Sequence, residues 1–179
     1  MELFESSPVF KEVKYYKSNI FNDERGRFQK PFFGELIEQK FNNSYEVIVS
    51  NSKKNVIRGL HFQNPPNDVS KLIFCLSGEI KDVFVDLRKS SKTFGMHDSR
   101  LLNEDEPVSI FIPEGFAHGF SVLSENATVL YLQSKPFNQK SDSGIHYKSI
   151  DIDWEVKESI VSEKDKNLVY LKNYISPWK

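Results

Sequence analysis

The chain has 179 residues, with 24 Lys and Arg against 25 Asp and Glu, a formal net charge of -1, 39% apolar and 27% charged side chains. That balance belongs to a folded domain and not to a disordered chain. Without a basic excess to displace counterions, a general nucleic-acid binder is excluded as a class.

The opening stretch, MELFESSPVFKEVKYYK, carries acidic side chains and no continuous apolar core, so no signal peptide is expected. No segment approaches the twenty apolar residues of a membrane span, so no membrane partner is expected and the cytoplasm is the expected location. Next comes PFFGELIEQKFN, Pro31 to Asn42, where Phe33, Leu36, Ile37 and Phe41 recur at helical spacing. From Ser44 the pattern changes. Ser44 to Ser50 (SYEVIVS), the run holding RGLHFQ (Arg58 to Gln63) and Lys71 to Leu76 read as strands. Ser77-Gly78 breaks the chain before the alternating Glu79 to Leu87. Val108 to Ile112 ends at Pro113, and Gly119 to Leu123 and Thr128 to Leu132 flank the turn Ser124-Glu125-Asn126. Strands spaced about 8–12 residues apart, with no helical pattern between them, predict an all-β sandwich or barrel. A second, short helix is expected within Ser162 to Tyr174, which carries Leu168, Leu171 and Tyr174. The single cysteine, Cys75, sits in the apolar run Leu72 to Leu76 and reads as a buried, inert thiol.

Four histidines are the first candidates for chemistry. His97 and His146 stand in polar, loop-like surroundings. His61 in RGLHFQ and His118 in PEGFAHGF lie beside glycines and aromatics on strands that can pair across a barrel. Each has an ordinary reading as a hydrogen-bonded structural histidine. Pro113-x-Gly115-x-x-His118 matches the second motif of the cupin jelly rolls. The first cupin motif requires His-x-His, and here that position reads His61-Phe62-Gln63. Two histidines without a carboxylate make a poor three-ligand shell, so no metal is expected.

Several blocks together carry a wider resemblance. FNDERGRF (21–28), SKKNVIRGLHFQ (52–63), KLIFCLSGEIKDVFVDLRKSSKTFG (71–95), IPEGFAHGFSVLSENATVLY (112–131), IDW (152–154) and SEKD (162–165) occur in this order. In them the chain resembles the dTDP-4-dehydrorhamnose 3,5-epimerase family. The resemblance implies a cupin-type jelly-roll β-barrel with short flanking helices. It implies one epimerase domain over 1–179, with the barrel core at about 20–155 and a C-terminal helical segment at about 160–175. It further implies a nucleotide-sugar substrate, no metal or other cofactor, and a homodimer.

The family chemistry fits what these side chains can do. A hydrogen beside a ketone is weakly acidic, and an epimerase removes it, stabilises the oxyanion and reprotonates the opposite face. Imidazole is the side chain suited to take such a proton near neutrality, and the resemblance gives that task to His61. The carboxylate that orients it is Asp165, although Ser162-x-x-Asp165 by itself reads as a capping box. Lys71 is implied beside the enolate oxygen, where a cation counts most in the transition state; alone it reads as an exposed strand-end lysine. Tyr131 is implied as the proton donor facing His61. Arg25 and Arg58 are implied at the diphosphate, Phe21 and Phe137 against the nucleobase, and Glu24, Gln63, His118 and Lys164 as further substrate contacts. Ordinary core packing is the alternative for both phenylalanines.

Three segments depart from the family pattern. QDNHS is replaced by EVIVS (46–50), a usual glutamate is Lys30, and a tyrosine pair is Pro136-Phe137. The catalytic set is intact and the recognition shell is altered. Other readings of the same residues are a single-centre epimerase, a ketoisomerase, or a sugar-nucleotide-binding barrel without catalysis.

Overall fold

The computed structural model describes residues 2–32, 34–41 and 45–179. Two antiparallel sheets lie face to face. One runs in the order β1 (Glu2–Ser6), β2 (Lys14–Lys17), β10 (Val108–Ile112), β7 (Lys71–Ser77), β12 (Asn126–Gln133), β5 (Glu46–Lys53). The other runs β13 (Asp142–Gly144), β6 (Ile57–Gln63), β11 (Phe116–Val122), β8 (Glu79–Asp86), β9 (His97–Asn103). A separate hairpin pairs β3 (Ile20–Asp23) with β4 (Gly26–Gln29). Strand neighbours far apart in sequence are the mark of a jelly roll, and the expected all-β barrel is what the chain forms.

The main core fills the space between the sheets. Phe10, Ile73, Phe84, Ile110, Phe120 and Val129 are buried there, with Phe10 edge-on to Phe84 and Phe116. Period-two alternation sends the other residues of each strand outward, yet β8, β10 and β11 are buried on both faces. The reason is cover. The chain beyond β13 lays Tyr147, Trp154, Tyr174 and Trp178 over Phe62, Val83, Val85 and Leu87. On the other sheet, α1 (Gly34–Phe41) presses Leu36 and Phe41 onto Leu72, Phe111 and Leu132.

Several expectations are corrected. The helix expected from Pro31 to Asn42 begins at Gly34; Phe33 and Asn42 fall outside the described residues. Ser44, the expected start of the fifth strand, also falls outside them. That strand runs past Ser50 because Asn51, Ser52 and Lys53 pair with Thr128, Ala127 and Asn126. Ser162 to Tyr174 is not one helix. A single turn, α2 (Glu163–Lys166), is capped at Asn167, and the chain then extends so that the His146 N–H donates to the Val169 carbonyl at 2.8 Å. Leu168 thereby reaches the sheet, packed against Gly144. Strands β1 to β4 and β13 escape the sequence pattern because they are short, and β9 because it opens on the polar run His97 to Arg100. Long-range partners select them.

Three single residues also resolve. Cys75 is free and buried, and burial pushes its thiol up to about 12. His146 is not in a polar loop. It is buried with its ring stacked between Tyr170 (4.4 Å, 9°) and Tyr147 (4.7 Å, 21°), while Nδ1 accepts from the Lys148 N–H. His97 opens β9, paired with Val85.

The block DLRKSSKTFG forms a knot around a buried carboxylate. Asp86 accepts from Arg88 Nε at 2.9 Å and Nη2 at 2.8 Å, and from Thr93 Oγ1 at 2.7 Å. The Arg88 guanidinium lies 4.6 Å over the Phe116 ring. Removing Asp86 leaves the half-buried Arg88 only its pair with the exposed Glu12 at 3.0 Å, and breaking a buried pair in this way is strongly destabilising. Asp86→Ala is expected to lower the unfolding free energy by about 3 kcal/mol, measured by denaturant titration; a loss under roughly 0.5 kcal/mol would show the knot to be idle.

Candidate active site

The site begins with two glycines. Gly59 on β6 has φ +125°, and a Cβ there would lie 2.6 Å from the Gly119 Cα and 2.9 Å from the His118 carbonyl oxygen. A Cβ on Gly119 would meet the Arg58 carbonyl at 2.5 Å. Only a glycine pair lets β6 and β11 approach this closely. Their close contact makes His61 and His118 cross-strand partners. The RGLH and AHGF runs are therefore one structural unit.

His61 Nε2 donates to Asp165 Oδ1 at 2.7 Å, and the Gly59 N–H donates to Asp165 Oδ2 at 3.1 Å. Burial pushes the Asp165 carboxyl upward, but its bonds to His61 and Gly59 outweigh this and hold it below the usual carboxylate range. Ser162 caps α2 by accepting from the Asp165 N–H at 3.1 Å. The capping pattern is thus half used: the serine caps, and the aspartate side chain turns inward to the histidine. An ionised carboxylate on Nε2 requires the ring hydrogen there and leaves Nδ1 as the proton acceptor.

His61 borders a cavity of about 320 Å³ between the sheets, which Lys71, Tyr131 and His118 also line, with Asp165 behind the imidazole. Lys71 is only 9% exposed and donates to the His61 carbonyl at 3.2 Å. Burial pushes its ammonium down to about 8, with Asp82 and Asp142 pulling the other way. Tyr131 projects from β12 on the opposite sheet from His61. Burial raises its phenol; the Ser50 hydroxyl and Arg58 work against that. One wall thus carries an imidazole and the other a phenol, with a cation on the strand beside the phenol.

The remaining candidates divide. Arg58, Phe137 and Lys164 line the cavity. Arg58 Nε donates to Ser52 Oγ at 2.8 Å across the gap between β5 and β6. Phe137 is 54% exposed, and its N–H donates to Glu46 Oε2 at 2.8 Å. Lys164 pairs with Asp142 at the mouth. Gln63 does not line the cavity. It is buried, donating to the Asn67 carbonyl at 2.7 Å and accepting from the Asn138 N–H at 2.5 Å, so it ties down the loop that carries Phe137. Phe21, Glu24 and Arg25 lie on the exposed β3–β4 hairpin, away from this cavity. There Arg25 pairs with Asp23 and Phe21 packs beside Phe28 at 6.2 Å.

Sequence reasoning passed over Asp82 and Asp142, whereas Ile48 belongs to the EVIVS segment already marked as altered recognition shell. Asp82 accepts from His118 Nε2 at 2.7 Å, and Ile48 and Asp142 line the cavity. A signal for Asp82 was present: it is in phase with Ile80 and Phe84 on the buried face of β8. Among the described residues, no group of three His, Cys, Asp or Glu side chains could hold a metal ion. No helix among them is long and apolar enough to cross a membrane.

A jelly-roll cavity walled by an imidazole with a carboxylate behind it, an ammonium and a phenol is the site of an acid–base isomerase. Comparison with known proteins narrows this class. The family model described as dTDP-4-dehydrorhamnose 3,5-epimerase matches residues 8–173, and the chain belongs to that family. The dTDP-4-dehydrorhamnose 3,5-epimerase of Shigella flexneri is 39% identical over 161 residues, 87% of this chain and 89% of that protein. A crystal structure of dTDP-4-dehydrorhamnose 3,5-epimerase from Elizabethkingia anophelis NUHP1 superposes with a TM-score of 0.86 at 33% identity, covering 97% of both chains. The Legionella pneumophila dTDP-6-deoxy-D-glucose-3,5-epimerase, in complex with dTDP-4-keto-L-rhamnose, gives 0.88 at 33% identity, covering 96% of this chain and 93% of that one.

Proposed function

We propose that residues 1–179 act as one epimerase domain that inverts C3 and C5 of a dTDP-linked 4-keto-6-deoxyhexose. The observation that carries the reading is the placement of His61 and Tyr131 on opposite sheets around one cavity, which Lys71 lines from the strand beside Tyr131. His61 Nδ1 takes the hydrogen of the carbon beside the ketone, while Asp165 stabilises the imidazolium that forms. Electron density moves to the C4 oxygen, where the Lys71 ammonium stabilises the enolate. The Tyr131 O–H then delivers a proton to the other face; the phenolate recovers one from solvent and His61 Nδ1 gives its own up to solvent, so both groups are reset for the second carbon. Carbon configuration inverts because donor and acceptor belong to different walls.

Substrate contacts follow from the mouth of the cavity. Arg58 and Lys164 are cations suited to the diphosphate, and the exposed Phe137 ring offers a face for the base. The hairpin with Phe21, Glu24 and Arg25 is remote from the cavity of its own chain, and the edge strand β5 leaves Val47 and Val49 exposed. Both features support a homodimer in which one copy's hairpin serves the other copy's cavity. A solution mass of one chain by light scattering would remove that part of the reading. A cytoplasmic location, where nucleotide sugars are made, belongs to the same reading and is checked by cell fractionation.

The test of the reaction is incubation with dTDP-4-keto-6-deoxyglucose in heavy water, followed by NMR and mass spectrometry. Deuterium at C3 and C5 is expected; no incorporation at either carbon would overturn the proposal. Tyr131→Phe is expected to keep exchange within about threefold of wild type while slowing net inversion about 100-fold, because proton removal precedes delivery. Equal loss of both would assign Tyr131 another task.

A further inference from the structure

Asp82 has no task in the mechanism above, yet its position is costly. It is fully buried on β8, its Oδ2 accepts from His118 Nε2 at 2.7 Å, and its Oδ1 is enclosed with no hydrogen-bond partner among the described residues. The surrounding core is aliphatic and aromatic: Ile80, Phe84 and Phe120 are its neighbours along and across the strands. A histidine–aspartate pair in such a place contributes less to stability than apolar side chains of similar size would. Its geometry, however, does something that apolar side chains cannot.

An ionised carboxylate only accepts hydrogen bonds. The His118 nitrogen that meets it must therefore carry the ring hydrogen, and the other nitrogen, Nδ1, holds a lone pair. Among the described residues Nδ1 has no hydrogen-bond partner, and it is not enclosed, so it opens on the cavity that His118 lines. Burial holds the His118 ring below its ordinary pKa, favouring the neutral form. Lys71 and Arg58, at the same cavity, can only donate. His118 thus supplies a fixed neutral acceptor, placed by strand register beside the base His61.

We propose that Asp82 is a positioning residue of the epimerase site: it locks His118 as the Nε2–H tautomer, so that Nδ1 receives the hydrogen of the sugar's C3 hydroxyl. C3 is the reacting carbon that bears a hydroxyl, since C5 carries a methyl group and the ring oxygen. The bond turns the C3 hydroxyl toward β11 and so fixes which way C3–H points relative to His61. This assignment rests on the epimerase reading for the identity of the ligand, whereas the tautomer itself does not.

The test has two arms. In the first, the full chain labelled with ¹⁵N-histidine is examined without substrate from pH 6 to 9. A pyridine-type Nδ1 and a protonated Nε2 are expected for His118 throughout, its signals being identified by their loss in His118→Asn. A protonated Nδ1, or an imidazolium at neutral pH, overturns the proposal. In the second arm, exchange at C5 is compared for the parent 4-keto sugar nucleotide and its 3-deoxy analogue. Wild type is expected to disfavour the analogue roughly 10- to 100-fold in kcat/KM, the cost of leaving one enclosed acceptor unpaired. Asp82→Asn is expected to lose on the parent and to bring the two substrates within about threefold. Equal losses on both substrates would make Asp82 merely structural and overturn the assignment, as would wild-type indifference to the 3-hydroxyl. Should Asp82→Asn not fold, the first arm and the wild-type comparison decide. Failure of wild type to turn over the parent sugar would count against the epimerase reading and leave the tautomer result standing.

Discussion

His61→Ala is expected to abolish hydrogen exchange with solvent at C3 and at C5 together, a loss of roughly 10³-fold or more in kcat. One wall of the cavity carries the acceptor nitrogen, so both carbons must present their hydrogens to it in turn. Asp165→Asn is expected to fall in the same direction, by roughly 10²- to 10⁴-fold, because an amide no longer enforces hydrogen on Nε2 or stabilises the imidazolium. The aspartate is 3% exposed and also receives the Gly59 N–H, so asparagine retains an acceptor there and the fold should survive. Measurement is by deuterium incorporation, with the circular dichroism spectrum as the check on folding. Exchange at either carbon at the wild-type rate in His61→Ala would move the base elsewhere.

Lys71 sets the alkaline limit of the reaction. Enolate stabilisation requires the ammonium, and burial has pushed that group down to about 8 against the opposing pull of Asp82 and Asp142, with His61 and His118 as the neighbouring titratable rings. The charged form is present below this value and lost above it. Hence kcat is expected to decline as pH rises through about 8, whereas an ordinary lysine would hold its charge to about 10. Lys71→Met should lower kcat by roughly 10²- to 10³-fold and flatten that limb. A wild-type profile level to pH 10, or a Lys71→Met profile that keeps the decline, would separate the limb from this residue.

The two predictions draw on different kinds of legibility. His61 was visible as a histidine in a Gly-flanked strand, and family resemblance supplied its partner 104 positions away. Spacing alone gave Asp165 to a helix cap, and the cap exists, with the serine as its acceptor. Nothing local distinguishes a capping aspartate from one whose carboxylate turns inward, because the choice depends on whether β6 passes beneath. Lys71 shows the same limit. A lysine opening a strand reads as exposed, and only the closure of two sheets over it removes its water and shifts its ammonium.

Chain order, the break at Ser77-Gly78, the alternation of β8 and the glycines at 59 and 119 are local properties, and from them the β-rich architecture and one pair of site strands can be read. These depend on hydrophobic period and backbone freedom, which neighbours in sequence largely determine. The short polar strands, the stacked His146, the early end of α2 and the Asp82–His118 pair depend on which surfaces meet after the sheets close. Burial and hydrogen-bond partners there come from residues tens of positions distant, and the charge state and direction of a side chain follow from those partners. Amino-acid order thus determined the barrel and its candidate chemistry. The tertiary structure decided which of those groups share one cavity, and in what protonation state.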